Sequence, residues 1–525
     1  MTVPDPNQES GVRGPEPGGR SPESGIRFHP WIMPAGVDIG SCADTSTVPG
    51  RNGPARRFAW TRSLHHFLVL HPIIPILLIA WAAAARAGPD DISLIEFDDP
   101  RCGAFGYDRA APMPLLPVAS PVVLDLTLHG DLAKPAEDLR EVLSRDIELS
   151  GVFTRLPADQ RPPPAFWTWM DEVTFDYLGW RDAGAWLVPV LELRHAESGA
   201  TEVRIKAYLT EEGDSLHASA ETVVVRAGRV ETLAHRVVSA LLQCITGLPG
   251  VFGTRIAYSY RLNPGDPKEI YVVEFGSASP ARVSLDGTLA ILPAWGPRGS
   301  IVYTGYRRGN PDLYRIESPG RAEVEAHLLS DRPGMNTGAA FSPRGDALAV
   351  TMVTDGNVDV FLADPVTGRV RARLTDAPGV DSSPTWSPDG RRIAFVSDRF
   401  GGPQIFLMDA DGAGQHPLPL PGGYNTSPDW SPDGSAIAYQ SRGEGSRFSI
   451  WRYDLATGTP ARLTMGPWDD EEPSFSPDGR LIAFTSTRHG AKRLYVMTRD
   501  GHRVQSLDLG PGEFFTPAWE RLFTR

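Results

Sequence analysis

The chain has 525 residues, of which 41% are hydrophobic and 22% are charged, and its formal net charge is −13. This length exceeds that of one ordinary domain, so we expect two folded units with additional segments. The acidic balance argues against a nucleic-acid-binding protein, because no basic excess is available to neutralise phosphates.

The first 87 residues predict a leader that directs export. Residues 1–55 are rich in Gly, Pro, Ser and Arg, so we expect them to be disordered or to precede the true start codon. A basic stretch at 56–62, an apolar run at 67–80 and a small-x-small site ending at Ala87 indicate a signal peptide that is cleaved after Ala87. The predicted location of the mature protein is the periplasm.

A retained transmembrane anchor is the alternative interpretation of this stretch, since residues 67–85 are just long enough to cross a bilayer. His71, Pro72 and Pro75 interrupt the apolar run, and its alanine-rich end is typical of a cleavage site. We therefore expect no membrane insertion after cleavage.

Residues 88–117 are an N-terminal extension for which the sequence predicts no definite structure. The stretch ISLIEF at 92–97 could form an extended strand or a simple linker. Cys102 and Cys244 could form a disulfide in an oxidising compartment, or they could be one loop thiol and one buried thiol. No cysteine belongs to a C-x-x-C pair, so neither a zinc site nor a thioredoxin-like motif is predicted.

Residues 118–262 predict a small sheet covered by helices, which is a mixed α/β domain. The two predicted helices have apolar residues at helical spacing and a glycine after their last turn, Gly151 in one and Gly247 in the other. The predicted elements are a strand at 121–128, a helix at 134–151, strands at 185–193, 202–210 and 222–226, and a helix at 229–247.

The rest of the chain repeats one sequence motif, of which WSPDGSAIAYQ (430–440) and FSPDGRLIAFT (475–485) are clear copies. The aromatic residue that begins each copy stands at 295, 341, 386, 430, 475 and 519, a period of 44 to 46 residues. Each period contains a Ser-Pro-Asp-Gly type of turn followed by short strands, which is typical of a β-propeller blade. We expect each aromatic residue to pack between neighbouring blades.

The two ends of this region predict the number of blades. IYVVEF (270–275) and ARVSL (281–285) resemble the later half of a blade, and TPAWERLF (516–523) resembles the start of one. Joined, they complete a sixth blade, which removes the open edges of the ring. The predicted fold is therefore an α/β domain followed by an all-β six-bladed propeller at 268–525, after the polar boundary at 263–269.

The chain from about residue 118 to its end resembles the TolB family of the Tol-Pal system, whose propeller repeats are of the PD40 or WD40-like type. The resemblance includes the repeated motif of the propeller and the sequence FTPAW near the end of the chain. In the α/β domain it includes LSRDIELSGVF (143–153), GWRDAGAWLVPV (179–190) and AHRVVSALLQCITGLPGVFGTRIAYS (234–259). Because it spans both domains, the combination of motifs is specific.

The resemblance implies a non-enzymatic, monomeric binding protein without cofactor or metal. It implies binding of the peptidoglycan-associated lipoprotein Pal at one mouth of the propeller. It also implies contact of the N-terminal segment with the inner-membrane protein TolA, for which ISLIEF is the candidate strand. Such a protein supports outer-membrane integrity and constriction during cell division.

The loops that enter the innermost strand of each blade are predicted to line the mouth. Their hydroxyl, amide, acidic and apolar groups suit a wet protein interface with small hot spots. The predicted partner-binding residues are Met335, Asn336, Thr337, Asp381, Ser382, Ser383, Asn425, Thr426, Ser427, Asp470, Glu471, Glu472, Phe514 and Phe515. The acidic run at 469–472 lacks the D-x-D-x-D-G pattern of a calcium loop, so we interpret it as a solvated rim that attracts basic partner residues.

Two other functions stay open at this point. An exported propeller scaffold or sensor unrelated to Pal would share the architecture, and a metal-dependent polysaccharide lyase would use scattered acidic residues. A serine peptidase is not supported, because the chain contains no G-x-S-x-G, and it also lacks H-E-x-x-H and P-loop motifs.

Overall fold

A computed structural model of the protein describes residues 95–97, 99–105, 115–119, 121–125, 131–156, 175, 177–195, 200–216, 222–225, 229–317, 325–443 and 447–523. The predicted leader, its cleavage site and the first residues of the extension lie outside these ranges. The described residues form an α/β region and a six-bladed propeller, which confirms the predicted fold class. None of the helices in this part of the chain has the length and apolar character of a membrane span.

The α/β region contains a seven-stranded sheet in the order β3-β1-β4-β5-β6, in which β2 also pairs with β4 and β7 with β5. The strands β1, β2 and β3 pair in parallel, whereas β4 to β7 pair antiparallel. The elements are β1 (Leu116–Val118), β2 (Val122–Asp125), α1 (Ala133–Leu149), β3 (Phe153–Arg155), α2 (Tyr177–Asp182), β4 (Leu187–His195), β5 (Thr201–Leu209), β6 (Asp214–Leu216), β7 (Thr222–Val225) and α3 (Val230–Thr246).

The helices α1 and α3 pack on each other through the apolar faces that the sequence predicts. Leu139, Leu143 and Ile147 of α1 are buried in the same core as α3. Helix α3 ends at Gly247, whose φ of 68° is the left-handed conformation that glycine adopts without a Cβ clash. The same core includes residues of the propeller, so the two regions share one apolar interior.

The propeller consists of six four-stranded sheets in the described part of the chain. Blade one comprises β11 (Ala290–Trp295), β12 (Ile301–Gly305), β13 (Asp312–Ile316) and β14 (Ala326–Ser330), with a short 3-10 turn at Pro297–Gly299. Blade two comprises β15 (Asn336–Phe341), β16 (Leu348–Thr354), β17 (Asn357–Ala363) and β18 (Val370–Arg373). Blade three comprises β19 (Asp381–Trp386), β20 (Arg392–Ser397), β21 (Gln404–Asp409) and β22 (His416–Pro417).

Blade four comprises β23 (Asn425–Trp430), β24 (Ala436–Arg442), β25 (Phe448–Asp454) and β26 (Thr459–Arg462). Blade five comprises β27 (Asp470–Phe475), β28 (Leu481–Ser486), β29 (Arg493–Thr498) and β30 (Val504–Ser506). Blade six combines β31 (Glu513–Trp519) with three earlier strands, β8 (Arg255–Arg261), β9 (Glu269–Glu274) and β10 (Ala281–Arg282). The first strand named in blades one to five, and β31 in blade six, is the inner strand that lines the axis.

Blade six closes the ring. Its strands show that the predicted boundary between the α/β domain and the propeller is wrong. Strand β31 pairs antiparallel with β8, which was predicted to belong to the α/β domain at 118–262. The predicted propeller start at 268 is therefore wrong, because the propeller begins at Arg255. The polar stretch at 263–269 is not a domain boundary, since it connects the paired strands β8 and β9.

The repeated aromatic residues pack between blades, as predicted. Each ends an inner strand and is buried. Trp295 of blade one shares a core with Ala257 and Ile270 of blade six, and its indole nitrogen donates to the carbonyl of Ala518 at 2.9 Å. Burial of these large rings on both sides of every blade stabilises the circular arrangement.

The described part of the N-terminal extension lies on the α/β region. Ile95 and Phe97 are buried in its core, and a disulfide joins Cys102 to Cys244 at the end of α3, with 4.3 Å between the Cα atoms. Arg101 bonds the buried carboxylate of Asp99 at 2.7 Å. The structure therefore forms the disulfide that the sequence left open.

Candidate functional site

The propeller has two faces, and the described residues of the α/β region contact the face where the inner strands finish. Arg503, before β30, donates to the carbonyl of Phe153 at 2.9 Å, and Gln505 donates to that of Glu148 at 3.0 Å. A Cβ atom on Gly151 would lie 2.8 Å from Leu481, at the start of β28. These contacts lie at the end of blade five where its inner strand finishes.

The mouth face is the opposite end, where the inner strands begin. Because neighbouring strands are antiparallel, the loop that enters each inner strand lies beside the loop that joins the second and third strands of its blade. In blade three these loops are 374–380 and 398–403, and in blade five they are 463–469 and 487–492. The contacts given above for the described α/β residues lie at the other end, so the mouth face is the candidate interaction site.

Most of the predicted mouth residues lie beneath the surface of this face. Twelve of the fourteen are buried, Ser427 is half-buried and Ser383 is exposed. The buried residues are Met335, Asn336, Thr337, Asp381, Ser382, Asn425, Thr426, Asp470, Glu471, Glu472, Phe514 and Phe515. Except for Met335, all of them belong to inner strands that are covered on both sides by neighbouring blades, and this position explains their burial.

The first residue of four inner strands serves as an internal brace. Asp381 accepts from Arg399 at 2.8 Å, and the equivalent Asp470 accepts from Arg488 at 2.9 Å. Asn336 donates to the carbonyl of Arg332 at 2.7 Å. Ion pairs and amide bonds of this kind fix the loops of the mouth face without using external partners.

The acidic run at 469–472 is not the solvated rim that was predicted. Asp469 pairs with Arg447 at 2.6 Å, whereas Asp470, Glu471 and Glu472 are buried and each has a different partner. The side chains diverge because successive strand residues point to opposite faces. Among the described residues no group of three or more His, Cys, Asp or Glu side chains is placed to hold a metal ion.

Burial perturbs two charged groups where blades five and six meet. Glu471 bonds Lys492 at 2.5 Å, but burial raises the pKa of Glu471 to about 7. Burial lowers the pKa of Lys268 to about 8. The ammonium of Lys268 lies 3.6 Å from the ring centre of Phe515, and Arg261, Lys492, Glu472 and Glu513 are the nearby charges.

One residue of every inner strand adopts a positive φ, the third residue in blades one to five and the fourth in blade six. The register of each inner strand shifts at this point, which identifies a β-bulge. The six equivalent residues are Leu292, Gly338, Ser383, Ser427, Glu472 and Thr516. Ser383 is exposed at this position, whereas the equivalent Glu472 and Thr516 are buried.

The mouth face also exposes large apolar side chains that the sequence analysis missed. Phe400 is 72% exposed in blade three, Met465 is 72% exposed before blade five, and Leu262 is 51% exposed in blade six. Their loops do not resemble one another, so the repeat gives no signal for them. An aromatic residue before two glycines, as in Phe400-Gly401-Gly402, is the one local indication.

Comparison with known proteins agrees with this architecture. A family model described as the TolB β-propeller domain matches residues 242–523. The chain is 30% identical over 406 residues to Tol-Pal system protein TolB of Xanthomonas campestris pv. campestris strain B100, a match that covers 76% of this chain and 90% of that relative.

Two further similarities extend this result. The chain is 34% identical over 266 residues to Tol-Pal system protein TolB of Desulfosudis oleivorans, which covers 50% of this chain and 57% of that relative. The crystal structure of TolB from Acinetobacter baumannii matches with a TM-score of 0.67 and 26% identity, over 82% of this chain and 100% of that one.

Proposed function

The chain belongs to the TolB family, and from this membership we propose that it acts in the periplasm and binds a Pal-like lipoprotein at the mouth face. The family assignment also confirms the prediction that the protein is not an enzyme. In this proposal the protein supports outer-membrane integrity and constriction during cell division.

One observation supports the mouth face above other surfaces. Phe400, Met465 and Leu262 expose at least half of their side chains there, in loops from three different blades. Large exposed apolar groups in a polar surrounding are typical of protein interaction sites. The braces at Asp381 and Asp470 hold the same loops rigid, which lowers the entropy cost of binding.

A second contact, with a TolA-like protein, is proposed for the residues that precede the packed segment. Ile95 and Phe97 are buried, and the disulfide at Cys102 attaches this segment to α3. The side chains of the second half of ISLIEF therefore have partners within the chain. We assign the proposed TolA contact to residues 88–94.

The test is calorimetric titration with the soluble domain of the Pal-like lipoprotein. Phe400→Asp and Met465→Asp should each weaken binding by at least about 2 kcal/mol, or roughly 30-fold, if these side chains are hot spots. The matched control is Val366→Asp, because Val366 is 70% exposed in a loop at the opposite end of blade two. Its affinity should equal that of the parent protein.

Full affinity in both mouth variants would exclude the mouth face as the Pal site. No binding by the parent protein would instead favour an exported scaffold or sensor unrelated to Pal.

A further inference from the structure

The segment that follows the last inner strand has contacts on three blades. Glu520 bonds Arg255 of blade six at 2.6 Å. Arg521 pairs with Asp429 on the inner strand of blade four. The ring of Phe523 lies edge-on to Phe341, which ends the inner strand of blade two, with 6.2 Å between ring centres.

These three contacts lie at one end of the propeller, the end where the inner strands finish. Blades six, four and two occupy alternate positions around a ring of six, because the inner strands contact one another in the order one to six and back to one. Four extended residues span at most about 14 Å. A segment this short reaches three alternate blades only if it runs across the axis.

The axis itself is lined by small or polar groups. Gly338 and Ser427 are half-buried and Ser383 is exposed, although all three belong to inner strands. Such exposure inside a ring of sheets means that solvent reaches them along the axial channel.

We propose that residues 520–523 are a plug that closes the axial channel at the end facing away from the mouth, so that the channel is a blind pocket entered from the mouth face only. This inference does not depend on which partner the mouth binds.

The contacts of the plug fit this role. Arg521 reaches from the segment to an inner-strand carboxylate, and burial raises the pKa of Asp429 while the Arg521 guanidinium lowers it. Phe523 packs with the apolar core between blades one and two. Leu522, between these two residues, is 66% exposed and is not part of a described apolar core. In an extended segment that lies over an opening, residues that contact the propeller are expected to alternate with residues that face the solvent.

The experiment uses a cysteine placed near the closed end of the channel. Ala340 is half-buried at the edge of the core between blades two and three and directly precedes Phe341, so Ala340→Cys introduces a thiol at the end of an inner strand. Cys102 and Cys244 are joined in a disulfide and do not react, and Cys42 is replaced by serine in every variant so that it does not react either. The probe is a maleimide on a long polyethylene glycol chain, which is too bulky to pass along the channel from the mouth.

In the Ala340→Cys protein this probe should react slowly. Adding Arg521→Gln and Phe523→Ala removes two contacts of the plug, and the labelling rate should rise about tenfold or more, which corresponds to about 1.4 kcal/mol. The matched control is Leu522→Ala, which should leave the rate unchanged. Because Glu520 stays in place, the ring closure at Arg255 is preserved, and an unchanged melting transition verifies it.

Small N-ethylmaleimide on Ser383→Cys reports entry from the mouth and should react equally in every plug variant. The proposal is overturned if the bulky probe labels Ala340→Cys rapidly with the plug intact. It is also overturned if the double plug variant, folded by its melting transition, is labelled no faster than the Leu522→Ala control.

Discussion

Lys268 lowers the stability of the folded protein at neutral pH, and Lys268→Met should therefore stabilise it. The Lys268 side chain is buried, its ammonium lies over the face of the Phe515 ring, and Arg261 and Lys492 are nearby charges of the same sign. Methionine keeps the length and the apolar stem of the side chain but removes the charge. The substitution thus removes the desolvation cost and leaves the packing in place.

The magnitude follows from the pKa. Burial lowers the pKa of Lys268 from 10.5 to about 8, and because one pKa unit corresponds to about 1.4 kcal/mol, the charged form costs about 3 kcal/mol in the folded state. We expect Lys268→Met to raise the free energy of unfolding at pH 7 by about 3 kcal/mol, the amount by which deprotonation stabilises the parent protein between pH 8 and 10.5.

The sign of the pH dependence is an independent check. Between pH 8 and 10.5 the unfolded chain keeps the Lys268 proton that the folded protein has lost, so this group makes the parent protein more stable as the pH rises through that window. The variant lacks this contribution. The difference in unfolding free energy between variant and parent should therefore shrink toward zero from pH 8 to above pH 10.5.

The assay is urea unfolding of both proteins at several pH values, with the difference taken at each pH so that other titrating groups cancel. The matched control is Lys492→Met, because Lys492 also lies near Phe515, at 5.5 Å, but pairs with Glu471. Removing one partner of a buried pair should destabilise the protein by about 3–5 kcal/mol. The reasoning is refuted if Lys268→Met is as destabilising as Lys492→Met, or if its effect does not vary with pH.

Two further predictions concern the disulfide and the bulges. The Cys102–Cys244 bond closes a loop with a sequence separation of 142, for which the chain-entropy relation gives about 5 kcal/mol, so Cys102→Ser should lower the unfolding free energy by up to about that amount. Urea unfolding measures this loss, and reduction should bring the parent protein to the level of the variant; equal stability of the oxidised parent and the variant would contradict the prediction. Ser383, with φ of 51° and an exposed side chain, should accept glycine with a gain of about 0.5–1 kcal/mol, because glycine relieves left-handed strain. The control is Ser382→Gly, which removes a buried side chain at an ordinary strand position and should destabilise; a loss of stability in Ser383→Gly would show that the bulge carries no strain.

The architecture was predictable from sequence because its signals are local and repeated. Each blade repeats a turn and an aromatic residue at a nearly constant spacing, and each main helix of the α/β region ends at a glycine. Local signals did not identify the sheet to which residues 255–261 belong. In RIAYSYR, apolar and polar residues alternate as they do in any half-buried strand. Its assignment to the propeller depends on pairing with Glu513–Trp519, about 260 residues away, and no local pattern contains that information.

The mouth residues show a second limit of the sequence. The predicted mouth residues lie at or near the starts of the inner strands, but their position in the sequence did not indicate that most of them are buried. Exposure there depends on the spacing between neighbouring blades, which leaves no room for solvent around Asp381 or Asp470, so these carboxylates bond arginines of their own blade. The exposed groups are instead in loops such as that of Phe400, whose sequences differ from blade to blade.

The position of the segment at 520–523 was not predictable for both of these reasons: it depends on a long-range strand pairing and on how neighbouring blades pack. In the sequence, Glu-Arg-Leu-Phe ends the most divergent copy of the repeat and shows neither periodicity nor a motif. Its position becomes defined only when Glu513–Trp519 pairs with Arg255–Arg261, because this pairing directs the next residues over the axis. Arg521 then meets a carboxylate from blade four, and Phe523 meets a ring from blade two. Closing the ring and closing one end of its channel are therefore consequences of the same strand pairing.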